Sequence, residues 1–401
     1  MISPSFPWPL NTGGKIRIYQ ILRHLIRLGH KVTFLSLAQE TYSSEVVEEL
    51  ETLCEKFLII PSPRQSKVWA ALRSIIFYEP YRLAKFENRE FTEKIAHEFS
   101  HDYDLVWVNF LETLASLPSE HEVQKKPIIV LDQQNADELF WMTYAQHGPF
   151  WIRFFAKQNL KRVRRLQARV IHKVDIILSV SKEDADFTQA SLADSSIEVW
   201  VAPNGVDTEK MYPAENQERR NKIIFCGSMD VMMNIEAVEW FTHNVFKKVR
   251  EEVPDAEFWI VGRNPGPGVQ KLSSVSGVYV TGSVPDVRPF YAEAKVAVAP
   301  LRLGGGTKLK VLEAMALGVP VVATPIGSQG IKAVPGKHLF VEESIENFAQ
   351  KVVSLLQNEE IARKMAQEAR RLVEEHYSWS GVWGQIALRL EQYKEAREKQ
   401  R

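Results

Sequence analysis

The chain has 401 residues, of which 45% are hydrophobic, so it is long enough for two domains with separate cores. Fifty basic residues balance fifty acidic ones, which argues against a protein that binds nucleic acid through a broad basic face. Cys54 and Cys226 have neither metal-ligand spacing nor the pattern of a disulfide framework, which suits the cytosol. No stretch has the pattern of a signal peptide or of a membrane-spanning helix. We therefore expect any contact with a membrane to be peripheral, at the bilayer surface.

Short β-branched runs alternate with amphipathic helices along the chain, which is typical of parallel sheets covered on both faces. The first half contains the strand candidates "KVTFLSL" (31–37), "FLIIP" (57–61), "DLVWVN" (104–109), "PIIVLD" (127–132) and "DIILSVS" (175–181). The second series is "KIIFCGS" (222–228), "AEFWIVG" (256–262), "GVYVTGS" (277–283), "VAVAPL" (296–301) and "PVVATP" (320–325). Between them, residues 201–221 are rich in Pro, Asn, Gly and charge and predict a linker. The fold class is therefore α/β, with two doubly wound parallel-sheet domains.

The N-terminus offers an unusually short strand candidate. Only Met1 to Ser3 precede the prolines at positions 4, 7 and 9, and proline cannot continue a central strand. We expect a first strand of three residues or fewer, or one displaced to the sheet edge. A late start codon or a trimmed N-terminus would produce such a strand.

In open α/β sheets, ligands bind where loops follow the carboxyl ends of strands. The first such loop places Gly13 and Gly14 directly ahead of a helix with apolar residues every three or four positions. Glycines there let a phosphate or a sugar approach the backbone and the free N–H groups of the helix N-terminus. A lone glycine pair would more often be an ordinary tight turn, but further junctions carry related features.

Three strand ends in the second half add candidates of the same kind. Gly227 and Ser228 end the strand at 222–228, and Arg263 comes directly after the strand at 256–262. Val284 follows the next strand, where its backbone could face a flat ring. Each position alone is more often a turn than a site, but together they predict a ligand site at one sheet edge.

The densest candidate lies in "PLRLGGGTKLKVLEAMALGVPVVATPIGSQG", residues 300–330. Its candidate ligand-binding backbone comprises Gly304, Gly305, Gly306 and Thr307. N–H groups in such a run can turn toward an anion, while Lys308 and Lys310 add positive charge. Glu313 can accept hydrogen bonds from a diol such as a ribose. A glycine hinge with solvated lysines and a dipole-favoured glutamate explains each residue, but not their convergence on one helix start.

Several motifs, taken in order, resemble those of the family 4 glycosyltransferases of the GT-B fold, over nearly the whole chain. They are "PWPLNTGGKIR", "VSKEDADF", "VAPNGVD", "FCGSMDVMMNIEAVEWF", "FWIVGRNP" and "KLKVLEAMALGVPVVATPIGSQG". The resemblance implies two facing Rossmann-like domains, 1–202 for an acceptor and 203–376 for a nucleotide-sugar donor. It also implies a C-terminal helix, 377–401, that crosses back to the first domain.

The same resemblance implies a retaining, hexosyltransferase-like enzyme of polysaccharide biosynthesis. A sugar would move from a nucleotide-diphosphate sugar, the co-substrate, to a glycan, lipid-linked or small-molecule acceptor, without a metal or other cofactor. Glu313 corresponds to the second carboxylate of the E-x7-E motif, which holds the donor ribose. Gly14 corresponds to the glycine loop near the diphosphate, Gly227 to the first donor-domain turn, and Val284 to a position whose backbone meets the base.

The chain departs from the family pattern at two points. Gly305 replaces the first glutamate of E-x7-E, and the Arg and Lys that commonly follow the first donor-domain turn are missing from "GSMDVMMNIEAV". Lys308 and Lys310 can replace that charge, because leaving-group stabilisation needs cations near the diphosphate rather than at fixed sequence positions. The predicted catalytic residues are Lys310, Lys308 and Glu313. On the acceptor side, Asn109 and Asp132 end strands and could touch the acceptor hydroxyl, although Asp132 could equally cap a loop.

Two other functions fit the same fold. A GT-B sugar-nucleotide epimerase would need additional acid and base groups near the sugar, and the context around Glu313 favours transfer. A catalytically silent sugar-nucleotide-binding module is the second alternative, made credible by Gly305.

Residues 139–174 contain eight lysines and arginines and no acidic residue, with aromatic residues just ahead of the basic helix. The helix has an apolar stripe, which consists of Ile152, Ala156, Leu160, Val163, Leu166 and Val170. A core-facing helix with a solvated basic face explains this pattern at least as well as docking on an anionic membrane, and both can hold. The expected location is the cytoplasm, at the inner face of the membrane if docking occurs.

Overall fold

The chain divides into two compact units in the computed structural model. The described residues are 1–10, 12–38, 42–62, 66–119, 126–134, 137–147, 150–192, 196–214 and 219–400. The first unit comprises Met1–Ala202 with Trp383–Arg401, and the second comprises Pro203–Val382. The first division lies at the predicted boundary after residue 202, whereas the second lies six residues beyond the predicted one.

The first unit is built on a seven-stranded parallel sheet. Its strands are β1 (Ile2–Ser3), β2 (Thr33–Ala38), β3 (Lys56–Pro61), β4 (Leu105–Asn109), β5 (Ile128–Gln133), β6 (Ile176–Ser179) and β7 (Glu198–Val201). They lie in the order β3-β2-β1-β4-β5-β6-β7. The helices are α1 (Gly13–Arg27), α2 (Ser44–Leu53), α3 (Lys67–Ile76), α4 (Tyr81–Phe86), α5 (Arg89–Glu98), α6 (Asp137–His147), α7 (Phe150–Val170) and α8 (Lys182–Ser191).

The first strand has two residues, which confirms the expected length of three or fewer. It lies in the middle of the sheet rather than at the edge, because Ile2 pairs with Leu35 of β2 and with Val108 of β4. The prolines that follow cannot continue a central ladder, which explains the short strand.

The second unit contains a six-stranded parallel sheet. Its strands are β8 (Arg220–Cys226), β9 (Glu257–Val261), β10 (Val278–Gly282), β11 (Ala294–Ala299), β12 (Val321–Ala323) and β13 (Phe340–Val341), in the order β10-β9-β8-β11-β12-β13. The helices are α9 (Met232–Trp240), α10 (Lys247–Glu252), α11 (Pro267–Lys271), α12 (Arg288–Glu293), α13 (Leu309–Ala316), α14 (Pro325–Ser328), α15 (Ile345–Gln357) and α16 (Glu359–His376). A further helix, α17 (Trp379–Gln400), begins in the second unit and belongs to the first from Trp383 onward. A π-helical turn, Phe241–Phe246, joins α9 to α10.

The sheet of the second unit separates two hydrophobic cores. Ile223 and Phe225 of β8 lie in the core that contains side chains of α9 and α15. Ile224 and Cys226, which alternate with them, lie in the core that contains side chains of α13 and α16. A strand segment with helices on both faces is apolar at successive positions, which explains the hydrophobic run from Ile223 to Cys226 at the end of β8.

The predicted linker is largely part of the second unit. The backbone N–H of Val206 donates to the carbonyl of Tyr377 over 2.7 Å. Arg370 of α16 donates to the carbonyl of Thr208 over 3.1 Å and to that of Met211. Irregular backbone needs such partners, and the guanidinium supplies several donors at once. Residues 215–218 of this segment lie outside the described residues.

The last helix, α17, packs into the first unit from Trp383 onward. The ring of Trp383 lies 5.7 Å from that of Trp107, edge to face. Further along, Arg397 pairs with Asp175 at 3.2 Å. No helix in the described part of the chain is long and apolar enough to cross a membrane.

Candidate functional site

The strand order of the second unit reverses direction between β8 and β11. In doubly wound sheets, the crevice at such a reversal is the usual ligand site. Strand β8 leads into Gly227 and Ser228, and β11 leads into the glycine run 304–306 and α13. A Cβ atom on Gly227 would lie 3.0 Å from Lys310 Nζ, so the two loops meet at this point. The structure therefore brings two separate predicted motifs to one sheet edge.

Asn234 connects the two loops. Lys310 Nζ donates a 2.6 Å hydrogen bond to Asn234 Oδ1, and Asn234 Nδ2 donates over 2.8 Å to the carbonyl of Ser228. The ammonium also lies 4.0 Å from the ring centroid of Phe225. These contacts hold the lysine in one position above the end of β8. Sequence reasoning missed Asn234, since nothing in the pattern of α9 distinguishes it from a solvated polar residue.

The two ionisable groups of α13 have strongly shifted pKa values. Burial lowers the pKa of Lys310 to about 7, although nearby Cys226 and Glu313 act in the opposite direction. Burial raises the pKa of Glu313 to about 7, and the positive charge of Lys310 opposes this rise. Throughout the described residues, the Glu313 carboxylate has no hydrogen-bond or ion-pair partner. A carboxylate in a desolvated site is stabilised by donors such as ligand hydroxyls.

The glycine run has a conformation that other residues rarely adopt. Gly304 and Gly306 have φ angles of 108° and 72°, and a side chain on Gly304 would overlap Met233. In the described ranges, no protein group accepts a hydrogen bond from the N–H groups of residues 304–306. These N–H groups, together with the N-terminus of α13, can therefore bind an anion.

The Lys308 side chain binds the backbone of the glycine run and is not a solvated cation beside Lys310. Its ammonium donates to the carbonyl oxygens of Gly305 and Gly306 over 2.6 and 3.0 Å. Those carbonyls thereby point toward the lysine. Thr307, which is buried, packs closely against Gly330, whose φ of 77° excludes most side chains. These contacts indicate a positioning role for Lys308, and its catalytic role stays a prediction.

The loops after β8 and β9 are also fastened together. Arg263 Nε donates to Ser228 Oγ over 2.7 Å, and the carbonyl of Arg263 accepts from Met229 N over 2.8 Å. A Cβ atom on Gly262 would overlap the carbonyl oxygen of Gly227, so only glycine fits there. Val284 follows the edge strand β10 and is half-buried against the core that contains α13.

In the first unit, Gly13 and Gly14 are the first residues of α1, not a loop ahead of it. Thr12 caps this helix, because its hydroxyl accepts from Lys15 N over 3.4 Å. A side chain on Gly14 would overlap Gln134 Oε1, and Gln134 Nε2 donates to the carbonyl of Gly14 over 3.4 Å. Gln134, directly after β5, was not predicted.

The structure corrects the two predicted acceptor-side residues. Asp132 is fully buried and accepts hydrogen bonds from Arg17 Nε at 3.0 Å and Nη2 at 2.6 Å. Asn109 is also fully buried, and its side-chain amide donates to the carbonyl of Ile2 over 3.1 Å. Asp132 joins β5 to α1 and Asn109 joins β4 to β1, so neither buried side chain is exposed to an acceptor.

A cleft of about 380 Å³ opens in the first unit, where β1 and β2 end. Aromatic rings line it, and Phe6 lies 5.3 Å from Trp8 and 5.0 Å from Tyr42 between ring centroids. Lys15 and Lys85 also contribute to the lining. Its position at the carboxyl ends of two strands makes it a second candidate ligand site.

One cluster contains side chains that commonly bind metals. The ligand atoms of His97, Glu98 and His101 lie within 4.8 Å of one another. Glu98 already accepts from Lys56 at 2.6 Å and from Tyr103 at 2.8 Å. The carboxylate is thus committed to structural contacts, and the cluster carries no functional assignment.

Comparison with known proteins agrees with this architecture. The family described as "Glycosyltransferase Family 4" matches residues 12–210, and "Glycosyl transferases group 1" matches residues 220–358. A Klebsiella pneumoniae protein named "Uncharacterized 44.6 kDa protein in cps region" is 20% identical over 96% of this chain and 98% of its own length. The MMP alpha-(1->4)-mannosyltransferase of Mycolicibacterium hassiacum is 29% identical over 55% of this chain and 54% of its own.

Two solved structures share the fold over nearly their whole length. Sucrose-phosphate synthase from Thermosynechococcus elongatus has a TM-score of 0.69 at 15% identity, covering 98% of this chain and 99% of that protein. Anabaena HepE in complex with UDP and glucose has a TM-score of 0.67 at 13% identity, covering 97% and 98%. The chain belongs to the family 4 glycosyltransferases of the GT-B fold and is a glycosyltransferase.

Proposed function

We propose that the protein transfers a hexosyl group from a nucleotide-diphosphate sugar to a glycan, lipid-linked or small-molecule acceptor, with retention at the anomeric carbon and without a metal. The observation that carries this proposal is the fixed position of Lys310, beside Gly227 and at the N-terminus of α13. The HepE structure contains UDP and glucose, so UDP-sugars are the first donors to test.

In the proposed reaction, the bond between the anomeric carbon and the diphosphate breaks and its electron pair stays on the diphosphate. Lys310 and the N–H groups of residues 304–306 meet this developing negative charge. Such groups favour the transition state because the charge is larger there than in the bound donor. The acceptor oxygen then forms the new bond to the anomeric carbon, and its proton passes to an oxygen of the departing diphosphate.

Glu313 is proposed to hold the donor ribose. Glu313 lies one turn after Lys310 on α13 and is half-buried, and its carboxylate has acceptor capacity that no described protein group uses. Gly305 stands where the family motif has its first carboxylate, so we assign the sugar hydroxyls to backbone groups of the glycine run. Lys308 maintains the shape of that run.

The acceptor is proposed to enter the aromatic cleft of the first unit. A sugar ring presents apolar C–H faces, and these faces lose water favourably against rings such as Phe6, Trp8 and Tyr42. The cleft has the volume for one or two sugar rings and opens at strand ends.

A donor panel separates this function from its alternatives. UDP-, GDP- and ADP-sugars would each be incubated with the protein, with and without oligosaccharide acceptors, and the products resolved by mass and by proton NMR. Transfer or slow donor hydrolysis with the anomeric configuration retained supports a transferase. An epimerised nucleotide sugar would identify an epimerase, and tight binding without any turnover would identify a silent binding module.

A cytoplasmic location, at the inner face of the membrane, is part of the proposal. Cys54 and Cys226 are free thiols, which agrees with a reducing compartment. Within the predicted contact region 139–174, residues 148 and 149 lie outside the described residues. In α7, the predicted apolar stripe packs inward, since Ala156 and Val163 are buried, so the opposite face remains for a membrane.

A further inference from the structure

We propose that α3 and the outer face of α7 form one docking surface for an anionic lipid bilayer. Seven large hydrophobic side chains are exposed within a stretch of eleven residues around α3. Their exposed fractions are Val68 69%, Trp69 57%, Leu72 47%, Ile75 53%, Ile76 68%, Phe77 63% and Tyr78 40%. Contiguous apolar area of this kind is rare on a protein that meets only water and marks an interaction site.

The amphipathic pattern of α3 is inverted relative to that of an ordinary surface helix. The residues that it buries completely are the small ones, Ala70 and Ser74, which lie one turn apart. The large apolar residues, including Trp69 and Ile76, face away from the unit. A helix that only covered a core would bury its largest side chains. The exposed face of α3 is therefore suited to an apolar environment outside the protein.

Two arginines of α7 join this helix to the end of α3. Arg162 Nη1 donates to Ser74 Oγ over 3.0 Å, and the guanidinium of Arg165 lies 4.6 Å above the ring of Tyr78. The apolar face of α3 therefore lies next to the face of α7 that carries Arg165.

That face of α7 carries aromatic rings and cations. Phe150 and Phe154 are 78% and 71% exposed, and Lys157, Lys161 and Arg165 are exposed on the same face. The spacings of three and four residues place all five within one helical stripe. The stripe has apolar residues at one end of the helix and positive charges toward the other.

The charge distribution around this docking surface favours a lipid bilayer over a protein as its binding partner. No acidic residue occurs from Lys67 to Tyr78, and the nearby Glu87 is paired with Arg73. An apolar centre with a rim of lysine and arginine, and with tryptophan and tyrosine among its aromatics, fits the interface of an anionic membrane. The cations lie on one side of the apolar patch, where they can reach anionic lipid headgroups while the apolar side chains enter the bilayer.

The surface can be tested with vesicle flotation. The variant Ile75→Ser/Ile76→Ser/Phe77→Ser removes exposed apolar groups, which costs the fold little. A matched control, Val334→Ser/Ile361→Ser/Leu388→Ser, removes exposed apolar groups from other places. We expect the first variant to bind vesicles of phosphatidylcholine with phosphatidylglycerol roughly tenfold or more weakly, and the control to bind like wild type.

The electrostatic contribution of α7 to vesicle binding is tested with the variant Lys157→Glu/Lys161→Glu. Each well-placed cation strengthens binding to an anionic surface roughly fivefold, so this double charge reversal should weaken binding by more than tenfold and flatten its salt dependence. Vesicles of phosphatidylcholine alone should bind wild type weakly and should not distinguish it from this variant.

Three results would overturn the proposal. The first is that the wild-type protein does not float with anionic vesicles at low salt. The second is that wild type and the α3 variant bind these vesicles equally well. The third is a wild-type dimer that the α3 variant dissociates, without vesicle binding, since the surface would then be a protein interface. Calorimetric donor binding by all these variants should match wild type, so a failure of this proposal is distinguishable from a failure of the proposed reaction.

Discussion

Lys310 and Asn234 lie 2.6 Å apart, Nζ to Oδ1, although 76 residues separate them in the chain. The contact crosses the reversal point of the sheet, from α13 after β11 to α9 after β8. A flexible lysine would lose rotamer entropy on binding a ligand, and the amide has already fixed this one. The pair therefore pre-positions a cation where a diphosphate is proposed to leave.

Lys310→Ala should lower turnover more than donor affinity. The ammonium is proposed to act mainly on negative charge that develops as the bond breaks. We therefore expect kcat to fall about 10²- to 10³-fold, and the donor Kd to rise by a factor several times smaller than that. Asn234→Ala should give a weaker form of the same effect, because it frees the lysine without removing it. Transfer kinetics and calorimetry on both variants and on the double variant check this coupling. Additive losses in the double variant would contradict it.

Donor binding should depend on pH with a maximum near 7. The pKa of Glu313 is raised to about 7, so below that pH its carboxylate is neutral and accepts ribose hydroxyls less well. The pKa of Lys310 is lowered to about 7, so above that pH its ammonium loses the charge that attracts the diphosphate. Affinity should therefore fall on both sides, by up to about tenfold per pH unit.

Calorimetry with an intact nucleotide sugar, whose diphosphate does not titrate in this range, measures the profile. Glu313→Gln should flatten the acid limb, and Lys310→Ala the alkaline limb. The range from about pH 5.5 to about pH 8.5 covers both ionisations. A donor affinity that stays constant over this range would exclude Glu313 and Lys310 from the donor site.

Gly262→Ala should destabilise the second unit. The added Cβ would overlap the Gly227 carbonyl, and relief requires the loops after β8 and β9 to separate. We expect a loss of about 1 to 3 kcal/mol in the free energy of unfolding and a weaker donor site. Gly266→Ala is the matched control, because nothing lies within 4 Å of a Cβ there, and it should change stability by less than about 0.5 kcal/mol. Equal thermal denaturation of the two variants would contradict the close approach.

Asp132→Ala should destabilise the first unit through its buried partner. It leaves the Arg17 guanidinium buried without its carboxylate, which typically costs about 3 to 5 kcal/mol. Replacing both residues, in Arg17→Met/Asp132→Leu, should recover most of the loss. Donor binding by the folded fraction should stay near wild type in both. If Asp132→Ala were instead as stable as wild type but had lost glycosyl transfer, Asp132 would have to contact the acceptor substrate.

All ten strand candidates of the sequence form strands, because a strand buried on both faces leaves an unmistakable apolar run. Strands β7 and β13 were missed. The short β7 adjoins the Pro-rich segment that predicts a linker, and β13 has only two residues. Strand-end polar residues could not be sorted from sequence, because burial of Asp132 depends on an arginine 115 positions away.

The candidate site was predictable where glycines and charges are close in sequence. The residue types of Gly227 and of the stretch 304–313 predict an anion site, and the structure places both at the carboxyl ends of strands in one sheet. Asn234 and Gln134 escaped prediction because their roles arise from contacts across the sheet and not from any local pattern. The carbonyl contacts of Lys308 were likewise unpredictable, since a lysine beside glycines can face either a ligand or its own loop.

The most direct test of the account is calorimetric titration of the cognate nucleoside diphosphate into wild type and Glu313→Gln. The substitution keeps the shape of α13 and removes the charge that strengthens hydrogen bonds to the ribose. Losing charge-assisted bonds typically costs about 1.5 to 3 kcal/mol, so the Kd should rise roughly ten- to a hundredfold at pH 8, where the carboxylate is ionised. An unchanged Kd, with thermal unfolding also unchanged, would mean that the nucleotide binds elsewhere.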